Sequence, residues 1–175
     1  LSIVAGVSID RLTELTGSER IVRIMPNTPM LVGRGAAGFS AGPKANEEDI
    51  ALTERILASV GIAFRVDEKY MDAVTALSGS GPAYVFEFIQ ALADGGVSEG
   101  LPRDMATQLA AQTVLGAAEM VLKTGTHPTV LKDQVTSPAG TTARALEVTY
   151  RNGFAATVID AMHACARRSE ELGKK

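Results

Sequence analysis

Apolar and polar positions follow two different rhythms along the 175-residue chain. Over residues 1–66, short apolar runs at Ser2–Gly6, Arg20–Met25, Ala36–Ala41 and Ile62–Val66 stand between turn residues and read as strands. Two helical patterns lie among them, near Ile9–Thr16 and Asn46–Val60. The second begins with Asn46 as a cap and with Glu47, Glu48 and Asp49 where the helix dipole favours negative charge. Strands alternating with helices predict an α/β sheet. From Tyr70 onward the strand pattern disappears. Helices are expected near Asp72–Ala93, Arg103–Lys123, Ala139–Arg151 and Phe154–Leu172, with Gly95-Gly96 and Gly125 ending the first two. Ala106, Ala110 and Ala117, beside Met105, Leu109 and Val121, form a narrow face that lets helices approach closely. Val158, Met162, Cys165 and Leu172 make a heptad-like seam. The expected fold class is therefore α/β plus all-α, with the sheet part at residues 1–66 and the helical part at 67–175.

Composition narrows the function classes. Apolar residues make up 46% and charged residues 21%, with a net charge of −3, a profile of a folded domain rather than a disordered tail or a nucleic-acid binder. No apolar run approaches the ~18 residues of a membrane span. The single cysteine, Cys165, forms no internal disulfide, which predicts a reducing, cytoplasmic setting. Two histidines and one cysteine make a structural metal site improbable, and none is expected. The chain starts at Leu1 and enters an apolar run at once, so a preceding N-terminal part is expected in the natural protein.

Four segments carry candidate chemistry. Gly33-Arg34-Gly35-Ala36-Ala37-Gly38 matches a dinucleotide fingerprint by letter, but it runs into Phe39-Ser40-Ala41-Gly42-Pro43, which cannot start the required helix; a turn between strands is expected. Met25-Pro26-Asn27-Thr28-Pro29 follows a strand directly, where open α/β sheets place ligands, and is either a ligand loop or a rigid surface turn. Ser78-Gly79-Ser80-Gly81-Pro82 interrupts a helical stretch at a cost of about 1 kcal/mol per Gly and 3 per Pro, so it marks a kink, alone or lining a site. Ser137-Pro138 reads as N-cap and first helical residue, which would leave the amides at Gly140, Thr141 and Thr142 free for an anion such as a carboxylate; an ordinary capped helix is the alternative. Gly140 would there remove a Cβ from the ligand's path. His127, His163 and Cys165 read as structural.

These segments together resemble the pyrroline-5-carboxylate reductase family, which performs the last step of proline biosynthesis. The resemblance rests on MPNTP at 25–29, DAVTALSGSGPAY at 72–84, ALADGGV at 91–97 and DQVTSPAGTT at 133–142, in family order. It implies a Rossmann-like domain binding NADPH, or NADH, ahead of an all-helical dimerisation domain that interlocks with a second copy, dimers in turn building rings. Roughly the first hundred family residues, with the strand-one glycine fingerprint, have no counterpart here. By position, Ile3, Val4, Ala5, Met25, Pro26 and Asn27 correspond to cofactor contacts, as does Gln134, where relatives often carry Asn. Glu68, Ser137, Gly140, Thr141 and Thr142 correspond to contacts with 1-pyrroline-5-carboxylate, and Thr142 to the catalytic hydroxyl at the ring nitrogen. Two other functions stay open on the residues alone. One is a non-catalytic helical dimerisation module, suggested by the missing fingerprint. The other is a hydroxyacid dehydrogenase of similar architecture, against which counts the lack of an interior helical lysine with suitable neighbours; Lys123 lies at a helix end.

Overall fold

The computed structural model describes residues 1–174. Their packing divides into two units, one of residues 1–83 with the chain from 159 onward, the other of residues 84–158. In the first, helix α1 (Ile9–Thr16) starts where Ser8 Oγ accepts from the Arg11 amide and ends at Gly17, whose φ of 68° is left-handed. Strands β1 (Val22–Met25), β2 (Gly35–Ala41) and β3 (Gly61–Arg65) form a sheet in that order, β1 antiparallel to β2 and β2 parallel to β3. Helix α2 (Glu47–Ala58) connects the parallel pair, entered through a reciprocal capping box between Asn46 and Asp49. Arg20 clamps the same Asp49 in a two-pronged contact of 3.1 and 2.7 Å, which holds that carboxyl below the usual aspartate range.

Strand parity assigns the two faces of this sheet. Val22, Ile24, Ala37 and Phe39 point one way and bury against Ile50 and Leu57 of α2, making the main core. Arg23, Met25, Gly38 and Ser40 point the other way. Against that second face lie α3 (Met71–Val74) and a π turn (Thr75–Gly79), after which the chain continues as α4 (Gly81–Ser98). Gly38 and Gly79 permit the approach, since a Cβ would lie 2.7 Å from Val74 Cγ1 at the first and 2.5 Å from Met25 Cε at the second. This packing groups residues 67–83 with the sheet.

Three expectations are corrected here. The run Ser2–Gly6 is not a full strand: Ser2 alone bridges Arg23, in parallel, and Ile3, Val4 and Ala5 continue exposed along the outer edge of β1. The helix expected over Asp72–Ala93 is split by the π turn, so the glycine-proline segment is indeed a break in the helix. Gly95-Gly96 lies inside α4 rather than at its end, because Gly96 faces Ala106, 3.2 Å from where its Cβ would be.

The helical unit follows with α5 (Arg103–Thr124), α6 (Pro128–Gln134), α7 (Thr141–Arg151) and the start of α8 (Phe154–Gly173). Its buried cluster is made of small residues, Ala93, Ala106 and Ala110, flanked by Ile89 and Val97, as the alanine face of α5 implies. Asp94 receives hydrogen bonds from Gln90 at 2.9 Å and from Arg103, joining α4 to the start of α5. Phe88 and Phe154 rings lie 5.9 Å apart. Large apolar side chains of this unit remain exposed, among them Phe86 at 62% and Leu122 at 75%. Among the described residues no helix is long and apolar enough to cross a membrane.

Candidate functional site

The first group of candidate residues lies at the carboxyl end of β1. Ser2 bridges Arg23 in parallel, so Ile3, Val4 and Ala5 leave the bridge in the same direction as Ile24, Met25 and Pro26. Adjacent carboxyl ends of parallel strands are where open α/β sheets hold ligands. The loop at this end is rigid. Asn27 Oδ1 accepts from the Ala36 amide at 2.9 Å, and Met25 packs its methyl against Gly79 of the π turn. A short 3-10 turn, Thr28–Val32, then leads through left-handed Gly33 into β2. The G-x-G-x-x-G letters thus span a turn and a strand, with no helix start.

Behind this loop sits a charge network with a member that the strand pattern conceals. Arg23, 5% exposed, lies on the second sheet face and donates to Glu68 Oε1 at 3.1 Å, with Asp72 Oδ1 at 3.8 Å. Glu68 Oε1 also accepts from the Ile9 amide at 2.7 Å, at the start of α1, where the helix dipole favours a carboxylate. Ser169 of α8 donates to Asp72 at 2.6 Å. The candidate residue Glu68 is therefore held by Arg23 and Ile9, tying α1 to β1. An arginine between Val22 and Ile24 was the available signal: parity alone turns it away from the apolar core.

The second group belongs to the helical unit and differs from the sequence expectation in one respect. Helix α7 begins at Thr141 with Gly140 as its N-cap, not at Pro138 with Ser137. Ser137-Pro138-Ala139-Gly140 forms a turn closed by the Gly140 amide donating to Ser137 O at 3.0 Å. Proline occupies its second place and Ala139, at φ 55°, its third, the arrangement of a type II turn. Gly140 fits closely in this turn, where a Cβ would meet Ser137 Oγ and lie 3.0 Å from the Ser137 carbonyl oxygen.

This start leaves α7 without a side-chain cap, so its first amides, at Thr141, Thr142 and Ala143, point outward at the positive end of the helix dipole. Hydroxyls stand beside them. Threonines further along other helices donate back to a carbonyl, as Thr107 does to Arg103 and Thr113 to Leu109. Thr141 and Thr142 lie in the first turn, and among the described residues their hydroxyls meet no partner. Gln134 ends α6 and is exposed, six residues before the N-cap. His127 caps α6, its Nδ1 accepting from the Thr129 amide at 3.3 Å, in line with a structural role. Cys165 is half-buried, 3.2 Å from Ser80 Oγ. Among the described residues no cluster of His, Cys, Asp or Glu could hold a metal ion.

With this geometry in view, comparison with known proteins is specific. A family model for pyrroline-5-carboxylate reductase dimerisation matches residues 68–172. The chain is 52% identical over 174 residues to the pyrroline-5-carboxylate reductase of Arabidopsis thaliana, covering 99% of this chain and 63% of that protein. Against the Synechocystis reductase the identity is 49%, over 100% of this chain and 66% of the relative. The crystal structure of Plasmodium falciparum pyrroline carboxylate reductase with NADP bound superposes with a TM-score of 0.93 at 42% identity, over 98% of this chain and 70% of that one. The chain thus spans a little under two thirds of the curated plant relative. Its sheet is the partial Rossmann-like part of such proteins and its helices their dimerisation part. The chain belongs to the pyrroline-5-carboxylate reductase family.

Proposed function

We propose that the protein to which this chain contributes reduces 1-pyrroline-5-carboxylate to L-proline with NADPH, or NADH, in the cytoplasm. The observation that carries this reading is the start of α7, with uncapped amides beside the unengaged hydroxyls of Thr141 and Thr142. The substrate pairs a carboxylate with a ring C=N, and these groups answer both. The amides of the first turn take the carboxylate. The Thr142 hydroxyl hydrogen-bonds the ring nitrogen and orients the imine, so that the nitrogen is held as its proton is delivered. Ser137 and Gly140 set the turn that aims these donors, and the Thr141 hydroxyl adds a contact. Donors fixed before reaction need no reorganisation during it.

The nicotinamide end of the cofactor fits the carboxyl end of β1. Ile3, Val4 and Ala5 border it on one side and Met25, Pro26 and Asn27 on the other; Gln134, in the helical unit, is that unit's own candidate contact with the cofactor. The cofactor supplies the hydride that the imine carbon accepts. The Asn27–Ala36 hydrogen bond and the Met25–Gly79 contact keep the loop from moving as the ring docks. Glu68, engaged by Arg23 and Ile9, supports this loop from behind and borders the substrate's side of it. The lone Cys165 needs no oxidising compartment, which supports the location.

Large apolar residues left exposed on the helical unit, such as Phe86 and Leu122, support burial against a second copy in an interlocked homodimer, from which rings can be built. The test is an assay of the full-length protein with 1-pyrroline-5-carboxylate, following NADPH oxidation. Turnover is expected, and Thr142→Ala should lower kcat by about a hundredfold without loss of folding. No oxidation above background would refute the activity, and an unchanged rate in the variant would remove Thr142 from its role.

A further inference from the structure

The segment that presents Thr141 and Thr142 is held in an unfavourable conformation. Ala139 adopts φ 55°, a left-handed setting that costs a residue with a Cβ about 1–2 kcal/mol. Such a conformation persists only where the surroundings fix both ends of the segment. Its near end is fixed by one residue. The carbonyl of Lys132 accepts from the Val135 amide at 3.2 Å and from Thr136 Oγ1 at 2.7 Å as α6 finishes. The side chain of that same lysine fixes the far end. Lys132 Nζ donates to Tyr150 Oη at 2.7 Å and stands 5.3 Å from the centre of the tyrosine ring. Tyr150 lies in the last turn of α7 and Thr142 in its first.

A tether at that position controls direction. A helix of this length runs roughly 16 Å, so about 3 Å of slack at its far end tilts the axis by about 11°. Donors in a preorganised site must be held to roughly 10–20°. A charged donor on a hydroxyl is a stronger link than a neutral pair, and the ring adds a cation–π attraction.

We propose that Lys132 and Tyr150 form a clasp that positions the first turn of α7 for the imine acid. The inference rests on the reading that this turn binds the substrate. Neither side chain touches substrate; both act through the orientation of Thr141 and Thr142. Loss of the clasp therefore weakens capture of the imine acid and leaves the cofactor's binding alone.

The experiment uses full-length protein carrying Lys132→Met, Lys132→Arg or Tyr150→Phe, with Thr142→Ala as reference. KM is measured separately for 1-pyrroline-5-carboxylate and for NADPH, alongside the thermal unfolding midpoint and the Kd of L-proline. Lys132→Met and Tyr150→Phe are expected to raise KM for the imine acid and Kd for proline about fivefold, with KM for NADPH and the unfolding midpoint unchanged. Lys132→Arg, whose guanidinium also reaches the hydroxyl, should restore most of the loss. Unchanged constants in Lys132→Met and Tyr150→Phe, beside an impaired Thr142→Ala, would overturn the clasp and leave the functional reading standing. A parallel rise in both KM values with a lowered midpoint would also overturn it, since that is the signature of general loosening. An active wild type whose Thr142→Ala variant is unimpaired would overturn the site reading, and the clasp with it.

Discussion

Arg23 offers the sharpest test of how the sheet unit is built. Replacing it with Met keeps a long side chain beneath α3 and removes the charge that two carboxylates share. The arginine side chain is 6% exposed, while those of Glu68 and Asp72 are 34% and 28% exposed. Removing one partner of a fully buried pair costs ~3–5 kcal/mol, because the other charge is left without compensation. Glu68 and Asp72 keep about a third of their surface in water and regain hydration there, which lowers the expectation to about 2–3 kcal/mol. Each also retains one hydrogen bond, Glu68 from the Ile9 amide and Asp72 from Ser169. The second arm of the test is Glu68→Gln, which still accepts from Ile9 but carries no charge. In the double variant Arg23→Met/Glu68→Gln, the orphaned glutamate is gone, so its cost should fall short of the sum by about 1–2 kcal/mol. Denaturant unfolding of the full-length protein gives these differences, and hydrogen exchange at the Ile9 amide reports the same contact locally. An Arg23→Met variant within about 0.5 kcal/mol of wild type, or a cycle additive to that margin, would refute the reasoning.

Gly38→Ala should destabilise by about 1–3 kcal/mol, because its Cβ would meet both γ-carbons of Val74, a branched side chain with little room to turn. Gly79→Ala should cost less, since the obstructing atom is the terminal methyl of Met25, on a flexible chain; the reverse order in unfolding midpoints would overturn this account of the second sheet face. The hydrogen bonds from Gln90, and then Arg103, hold Asp94 below the ordinary aspartate value. A lowered folded pKa means stability that is present above the unfolded value of about 3.9 and is lost as pH falls through the folded one. Wild type should therefore exceed Asp94→Asn in stability at neutral pH, with the gap closing below about pH 4; a gap that persists in acid would show that the charge is not its source.

The elements were legible where local chemistry decides them. Ser8 and Gly17 bracket α1, and the Asn46–Asp49 box opens α2, so these helices begin or end within a residue or two of the positions read from the sequence. The signals that misled were those whose meaning depends on a distant partner. Gly95-Gly96 carries the composition of a helix end, but the alanines of α5 close over it and α4 continues through to Ser98. Ser2–Gly6 carries the composition of a strand, but pairing, not propensity, makes a strand, and here a single residue pairs. Arg23 reads as a polar interruption of an apolar run until the carboxylates of Glu68 and Asp72, forty-five and forty-nine positions onward, are placed beneath it.

The start of α7 shows the same dependence with a consequence for chemistry. Serine followed by proline opens helices and also opens turns, because proline's fixed φ suits the first helical residue and the second place of a turn alike. Had the helix begun at Pro138, Thr142 would lie in its second turn, and its hydroxyl would be free to donate to the carbonyl of Pro138, as Thr107 does to Arg103. That bond would occupy the group the proposed reaction needs. Turning first through Ala139 and starting at Thr141 moves the first helical residue by three positions, nearly one turn, onto the threonines themselves. The strain at Ala139 and the close fit of Gly140 against Ser137 are thus the conditions under which an amide cluster and an unengaged hydroxyl occur together. A turn relaxed by extending α7 backwards would be more stable and would present the carboxylate site without its hydroxyl.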